Sequence, residues 1–354
     1  MPRIVSIQCT VPEYRVDQQT ALSFASRIFS DANLNLTRLL PIFQHTRIET
    51  RYFCVPPEWF DAVHPFSEKN RIYRQNAIKL SEAAIRQIFE STGVQPQQVG
   101  HIFFVSTTGL ATPSIDAHLF NLLKLRPSIR RTPIWGLGCA GGIAGINRAM
   151  DWLKAYPEEM ALVIAVELCG LTFIRNDLSK SNFVATSLFA DGCGAALLAG
   201  DRCGIRAERS LEIQCNTSTT WEDSLSVMGW NIGDDGFKVL FSKSIPQIVS
   251  QSALPSILGF LQENGLTLET IDYFLSHPGG AKVIDAYQQS LGLREEQIRS
   301  MKEVLRNYGN MSSATVYFVL QDFLNSPDYR PGARILSTAL GPGFSSEMFL
   351  AQCL

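Results

Sequence analysis

Three polar side chains stand where the sequence pattern changes from strand to loop or from loop to helix: Cys139, His277 and Asn310. Cys139 lies in Trp135-Gly-Leu-Gly-Cys139-Ala-Gly-Gly-Ile143. A strand-like run ends before it, and Ile143, Ile146, Met150 and Leu153 then share one helical face. A thiol at a helix start meets free amide N–H groups and the positive end of the helix dipole, which favour a thiolate. Gly138, Gly141 and Gly142 let a substrate approach the sulfur closely. His277 ends a strand-like run over 271–276 and opens His277-Pro-Gly-Gly280, while Asn310 lies in Asn307-Tyr-Gly-Asn310-Met-Ser-Ser313. A sulfur nucleophile with imidazole and amide donors suits acyl transfer. The sulfur can accept and release an acyl group, and neutral donors stabilise an oxyanion that a carboxylate would repel. Singly, each residue has a commoner structural use, as a packed thiol or a turn residue. They acquire a joint meaning only if the fold brings them together.

The elements that must do so are read from periodicity. The pattern predicts a strand over 3–9, helices over 18–29 and 68–89 (the second stopped by Gly93), and buried strands over 102–106 and 132–136. The Cys139 helix follows, then strands over 160–166 and 191–198. The alternation restarts near residue 203. Strand 205–215, helix 245–262 kinked or divided at Pro255, strand 271–276 and helix 282–291 lead to the Asn310 loop and its helix. Strands over 333–339 and 344–352 close the chain around Gly341-Pro-Gly343. This predicts an α/β fold of two similar halves, 1–203 with the cysteine and 204–354 with the histidine and asparagine, each on a mainly parallel sheet. If the strand carboxyl ends face one crevice, the three polar residues meet there. Thr107, Thr108 and Thr112, in the loop after 102–106, then become pocket candidates.

Composition narrows the function. At 354 residues the chain can bury a large core, and a net charge of −2 gives no cationic surplus for nucleic acid. No apolar run is long enough to cross a bilayer, and Met1-Pro-Arg-Ile-Val-Ser-Ile enters a strand directly, so the expectation is a cytoplasmic protein with no membrane span. None of the eight cysteines forms a C-x-x-C pair or has a histidine at zinc-finger spacing, so neither disulfides nor a metal site are expected. Residues 41–51 carry His45, Arg47 and Arg51, a modest basic cluster that is either a solvated face or a contact to an anionic group.

Gly136-Leu-Gly-Cys-Ala-Gly-Gly142, His277-Pro-Gly-Gly280 and Tyr308-Gly-Asn-Met-Ser-Ser-Ala314 together resemble the thiolase superfamily, and within it the type III polyketide synthases of the chalcone synthase group. Leu188-Phe-Ala-Asp-Gly-Cys-Gly-Ala-Ala196, Leu340-Gly-Pro-Gly-Phe-Ser-Ser-Glu347 and Val105-Ser-Thr-Thr-Gly-Leu-Ala-Thr-Pro113 extend the likeness over nearly the full length. The resemblance implies a thiolase-like fold, two duplicated α/β halves forming a layered α-β-α-β-α core. It implies Cys139 as the acyl-accepting nucleophile with His277 and Asn310 as partners, and Phe189 and Phe237 as a pair of gatekeeper phenylalanines. Thr107, Thr108, Thr172, Met228 and Ser312 match cavity-lining positions. Arg47, Arg51, Lys282, Gly279 and Gly280 are candidate coenzyme A contacts, and Thr112 matches a residue that reaches the cavity across a homodimer. No cofactor or metal is implied beyond the CoA thioesters that serve as substrates. Ala339 and Leu340 replace a Gly and a Phe usual in the family's glycine-proline loop, and Met228 replaces a frequent Gly. These departures bear on the starter and on ring closure. The closer likeness is to bacterial members that extend fatty acyl-CoA with malonyl-CoA and form alkylpyrones.

Three other readings share some of these features. A 3-ketoacyl synthase of the initiating type, served by acyl carrier protein, would make one condensation on the same fold. A non-catalytic thiolase-like subunit would bind a partner, though it would not need the three polar residues. A cysteine hydrolase would use the same residue types but not the doubled α/β pattern.

Overall fold

The computed structural model describes residues 1–30, 32, 34–241 and 248–354. In the first half the order is β1 (Arg3–Thr10), β2 (Tyr14–Asp17), α1 (Gln18–Ile28), α2 (Leu36–Leu39), α3 (Ile42–His45), β3 (Thr50–Phe53), α4 (Phe66–Thr92), β4 (Val99–Val105), α5 (Ile115–Leu123), β5 (Arg130–Ile134), α6 (Gly141–Ala155), β6 (Met160–Leu168), α7 (Lys180–Leu188) and β7 (Asp191–Ala199). The second half continues with β8 (Leu211–Thr220), β9 (Met228–Gly233), β10 (Gly236–Phe241), α8 (Leu254–Glu263), β11 (Tyr273–Phe274), α9 (Ala281–Leu291), α10 (Arg299–Tyr308), α11 (Thr315–Asn325), β12 (Arg334–Gly341) and β13 (Ser345–Cys353). Among the described residues no helix is long and apolar enough to cross a membrane.

Nine strands are hydrogen-bonded in the order β11-β12-β13-β8-β1-β7-β6-β4-β5. The halves meet at a narrow seam, where Arg3 and Ile4 of β1 pair with Glu212 and Leu211 of β8. Every residue of β4, β6 and β7 is buried, which explains their unbroken apolar runs. Helix α6 lies between the two strand groups, against β4 and β6 on one side and β8, β12 and β13 on the other, with α11 beside it on β1 and β7. Helix α4 covers the outer side of β1, β6 and β7. On the far side α8 and α9 supply Ile257, Phe260, Ile284 and Tyr287 to the core that holds β11–β13. The result is the layered α/β arrangement of helix, sheet, helix, sheet, helix.

The sheet is less parallel than the sequence suggests. Only β4–β5, β4–β6 and β11–β12 run parallel; β1, β7, β8 and β13 are joined to their neighbours antiparallel. Long apolar runs report burial on both faces, not direction, so β7 and β13 read the same as parallel strands. The run before Cys139 is the outermost strand, half exposed, and an edge position accommodates its Pro133. Strand β8 starts at Leu211 and not at 205, and β11 keeps two residues of the six expected. A π-helical turn, Val249–Ala253, runs directly into α8, so the helical segment is divided just before Pro255, which lies in the first turn of α8. Residues 245–247 of the expected helix lie outside the described residues.

The glycines around Cys139 are required by contact between the halves. A Cβ on Gly138, whose φ is +46°, would sit 2.6 Å from Pro342 Cδ, and one on Gly142 would overlap the carbonyl oxygen of Ser313. The β12–β13 turn and the loop after Asn310 therefore press directly on the nucleophile turn. Gly142→Ala should lower unfolding stability by about 1–3 kcal/mol through overpacking. Urea denaturation of the purified variant checks this, and an unchanged midpoint would show that the two backbones separate easily.

Candidate active site

Cys139 sits in a 3-10 turn, Gly138–Ala140, immediately before α6. It is half-buried, and its Sγ donates to Ser312 Oγ at 3.4 Å. Ser312 occupies the left-handed region, with φ +47°, which is uncommon for a residue with a Cβ. Its amide donates to Asn310 Oδ1 at 2.8 Å.

Asn310 is fixed from three directions. Its amide donates to Leu188 O at 2.9 Å, and its carbonyl accepts from Ala190 N at 2.9 Å, a parallel bridge around Phe189. Its side-chain Nδ2 donates to Gly279 O at 2.8 Å. A primary amide has two N–H groups, so the second can serve a substrate oxygen. Gly279 has φ +65°, and the His277-Pro-Gly-Gly280 turn passes it to Gly280, the residue that caps α9. His277 is buried, its amide donating to Thr338 O at 3.0 Å, and both ring nitrogens are buried without a hydrogen-bond partner. An imidazole with two unpaired nitrogens in a dry site is poised for a partner that arrives from outside.

Burial sets the protonation states. It pushes the Cys139 thiol up to about 12 and holds the His277 imidazole down to about 4. Burial thus opposes the thiolate that the helix start favours. Desolvation outweighs the turn's N–H groups and the Ser312 hydrogen bond. For both side chains burial favours the neutral form.

The sequence reading missed Glu167. It is fully buried at the end of β6 and accepts from Ser313 Oγ at 2.6 Å, Thr108 Oγ1 at 2.8 Å and Thr107 N at 2.9 Å. Burial raises its carboxyl to about 7 in spite of these donors. A single acid inside the apolar run Met160–Leu168 is the signal that could have revealed it. Thr108 also accepts from Leu168 N, so its side chain is committed to this network rather than to a cavity wall. Thr107 keeps a buried hydroxyl with no partner.

The expected gate is differently built. Phe189 packs with Cys169, Ala185 and Val239, and its ring lies 5.6 Å from Phe241 and 6.1 Å from Trp230. Phe237 sits 5.2 Å from Phe66 at the other end of β10 and reaches Phe189 only through Trp230, 6.3 Å away. Val239 and Phe241 share its strand face at a period of two, so spacing alone could not choose among the three. Met228 opens β9 opposite Phe241 and packs on the main core. Thr172 is buried, with its hydroxyl donating to Cys169 O at 2.7 Å.

Two of the expected coenzyme A contacts are engaged elsewhere. Arg47 forms a two-pronged ion pair with Asp285 of α9, at 2.7 and 2.9 Å. Arg51 is 1 % exposed and donates to Thr186 O and Phe189 O, at 2.7 and 2.9 Å. It holds the carboxyl end of α7, where a cation is favoured, and burial lowers it to about 10. A guanidinium buried there cannot meet a phosphate at a surface mouth. Lys282 is exposed in the first turn of α9, beside Gly279 and Gly280. Thr112 is exposed, preceding a cis proline, Pro113.

Comparison with known proteins finds relatives over the whole chain. Residues 6–254 fit the family model described as FAE1/type III polyketide synthase-like protein, and residues 212–354 fit the chalcone and stilbene synthase C-terminal domain. A putative chalcone synthase of Bacillus subtilis (strain 168) is 44% identical, covering 99% of this chain and 98% of its own. The alpha-pyrone synthesis polyketide synthase-like Pks18 of Mycobacterium tuberculosis (strain H37Rv) is 26% identical over 96% of this chain and 88% of its own. The crystal structure of 1,3,6,8-tetrahydroxynaphthalene synthase from Streptomyces coelicolor A3(2), a bacterial type III polyketide synthase, superposes with a TM-score of 0.93 at 28% identity, over 99% of both chains.

Two measurements test the electrostatics and the gate support. Glu167 titrates higher folded than unfolded, so its contribution to stability is complete below pH 4.5 and is lost as pH rises through about 7. Between those limits Glu167→Gln should gain roughly 3 kcal/mol relative to the unsubstituted protein in urea unfolding; a pH-independent difference would show that Glu167 titrates alike in the folded and unfolded chain. Arg51→Met leaves two buried carbonyls unpaired and should cost on the order of 2–5 kcal/mol, with Arg51→Lys recovering part of it. Equal unfolding midpoints for all three proteins would remove Arg51 from the support of Phe189.

Proposed function

Because the chain belongs to the type III polyketide synthase family, an acyltransferase family that works by decarboxylative condensation, we propose that it loads a fatty acyl group from CoA onto Cys139. Malonyl-CoA then extends it repeatedly, and the product closes to a pyrone or resorcinol-type ring. The observation that carries the chemistry is His277, buried with both ring nitrogens unpaired, on the turn whose Gly279 O holds the Asn310 amide.

In loading, the thiol proton passes to His277 as sulfur attacks the acyl-CoA carbonyl, and collapse of the adduct expels CoA, which takes the proton back. The high thiol value in the free protein fits a proton that leaves only when carbon–sulfur bonding compensates it. Malonyl-CoA next loses carbon dioxide, and its electron pair forms an enolate. The low His277 value keeps the ring neutral near pH 7, so one nitrogen carries the proton it donates to the enolate oxygen, while Asn310 supplies the second donor. The enolate carbon attacks the acyl carbon on Cys139, and the thiolate leaves. The extended chain, now a CoA thioester, reloads for the next cycle. An enol oxygen attacking the thioester carbonyl of a triketide gives the pyrone and frees CoA.

The pyrone is supported by the mycobacterial relative's description as an alpha-pyrone synthesis polyketide synthase-like protein. Gly279, Gly280 and exposed Lys282 remain the candidates for CoA contact, and Thr112 the candidate residue shared across a homodimer. The protein should form extended products from malonyl-CoA and acyl-CoA starters without carrier protein, read by mass spectrometry. Cys139→Ala should form none. Asn310→Ala should still acylate Cys139 but decarboxylate malonyl-CoA about 10²–10³-fold more slowly. One condensation only, or a requirement for carrier protein, would move the assignment to a 3-ketoacyl synthase of the initiating type.

A further inference from the structure

Away from the catalytic turn, a pocket of about 310 Å³, counted to its open mouth, lies between the 59–64 turn, the start of α4, the loop after Thr172 and the tip of the β9–β10 hairpin. Its wall includes Trp59, His64, Lys69, Arg175, Asn176 and Asp235, and neither Cys139 nor Phe189 is on it.

Two cations of this wall lack counter-ions. Lys69 is only 5 % exposed, an unusual burial for a lysine. Its Nζ donates to Phe173 O at 2.8 Å and to Asp235 O at 3.1 Å. An ammonium has three N–H groups, so one is left over. Burial lowers this side chain to about 8, as expected where carbonyl dipoles replace water without a neutralising charge. Arg175, on the same wall, has a buried Nε with no hydrogen-bond partner. Among the described residues neither Lys69 nor Arg175 forms an ion pair. Buried cations are ordinarily matched by a carboxylate.

The acids around the pocket do not supply one. Glu68 is held by His64, with Oε1 3.1 Å from Nδ1, and His64 Nε2 meets Trp59 O at 2.8 Å. Asp177 pairs with Lys238 at 3.5 Å. Asp235 reaches Lys69 through its main-chain oxygen, and its exposed carboxylate forms no ion pair with it. The pocket therefore offers an ammonium proton, a guanidinium and a flat wall, the Trp59 and His64 rings being stacked at 3.9 Å. A neutral or cationic ligand would leave both charges unmatched, whereas an oxyanion satisfies both with charge-assisted hydrogen bonds. At ~30 Å³ per water-sized group, the space suits a ligand of about ten non-hydrogen atoms or fewer.

We propose that this pocket binds a small oxyanion, a carboxylate or a phosphate, between Lys69 and Arg175, and that the bound anion clamps the β9–β10 hairpin to the 173–176 loop. The hairpin is a separate two-stranded sheet, anchored to α4 by the Lys69 bond to Asp235 O and by Phe66 against Phe237 at 5.2 Å. Its β10 strand carries Val239 and Phe241 against Phe189, so an anion held at the tip reaches the gate through one strand. The site does not depend on the reaction proposed above.

Isothermal titration calorimetry on the full chain tests the site, with inorganic phosphate and malonate as probes and chloride matching the ionic strength. At least one of the two should bind saturably. Tighter phosphate binding points to a phosphate ligand and tighter malonate binding to a carboxylate. Arg175→Gln should weaken binding about tenfold to a hundredfold, the loss expected of one charge-assisted hydrogen bond. Lys69→Met should abolish it, and Asp235→Asn, which removes the only acid of the wall and keeps the main-chain bond, should tighten it. Should Lys69→Met fail to fold, Arg175→Gln and Asp235→Asn carry the test. Hydrogen exchange should show slower exchange over 173–176 and 228–241 at the anion concentrations that saturate the heat. No saturable binding of either anion, or binding unchanged in Arg175→Gln, would overturn the site. Binding with unchanged exchange of the hairpin would overturn the clamp.

Discussion

Two main-chain hydrogen bonds, Asn310 N to Leu188 O and Ala190 N to Asn310 O, tie the second half of the molecule to the first at the point where the chemistry is proposed to occur. The other features of the site depend on this bridge. It places the Asn310 side chain where Gly279 O and Ser312 N can hold it, and it fixes the backbone of Phe189. From beneath, Arg51 holds the Phe189 carbonyl and packs so closely on Gly309 that a Cβ there would lie 2.8 Å from its Cγ. A basic residue that reads as a phosphate contact is thus part of the frame that sets the gate and the amide donor in one register.

The same close approach recurs on the nucleophile side, where Pro342 bears on Gly138 and Ser313 on Gly142. Ser313 also donates to Glu167, whose other donors come from the loop after β4. The site is accordingly a junction of backbones from both halves, with side chains that have little freedom to move. Such rigidity suits a reaction that stabilises charge with fixed neutral donors, since no reorganisation is needed when the oxyanion forms. It also explains the protonation pattern. Burial favours the neutral form of both the thiol and the imidazole.

The sequence by itself determined the residue types, their order and the α/β class, because periodicity and glycine turns are local properties. Cys139, His277 and Asn310 were legible as candidates through the motifs around them. Strand direction was not, because a strand buried on both faces looks alike in either orientation, as β7 shows. The partners of Phe189 were not, because Phe237, Val239 and Phe241 point the same way along β10 and only packing decides which of them reaches it. Arg47 and Arg51 stand four residues apart in one basic cluster. The tertiary structure sends one to an ion pair with Asp285 and buries the other under α7, since burial and partnership arise from residues more than a hundred positions away. The resting charge of Cys139 belongs to the same class. A helix start favours a thiolate locally, but desolvation depends on everything packed around the sulfur, and only the folded chain contains that information.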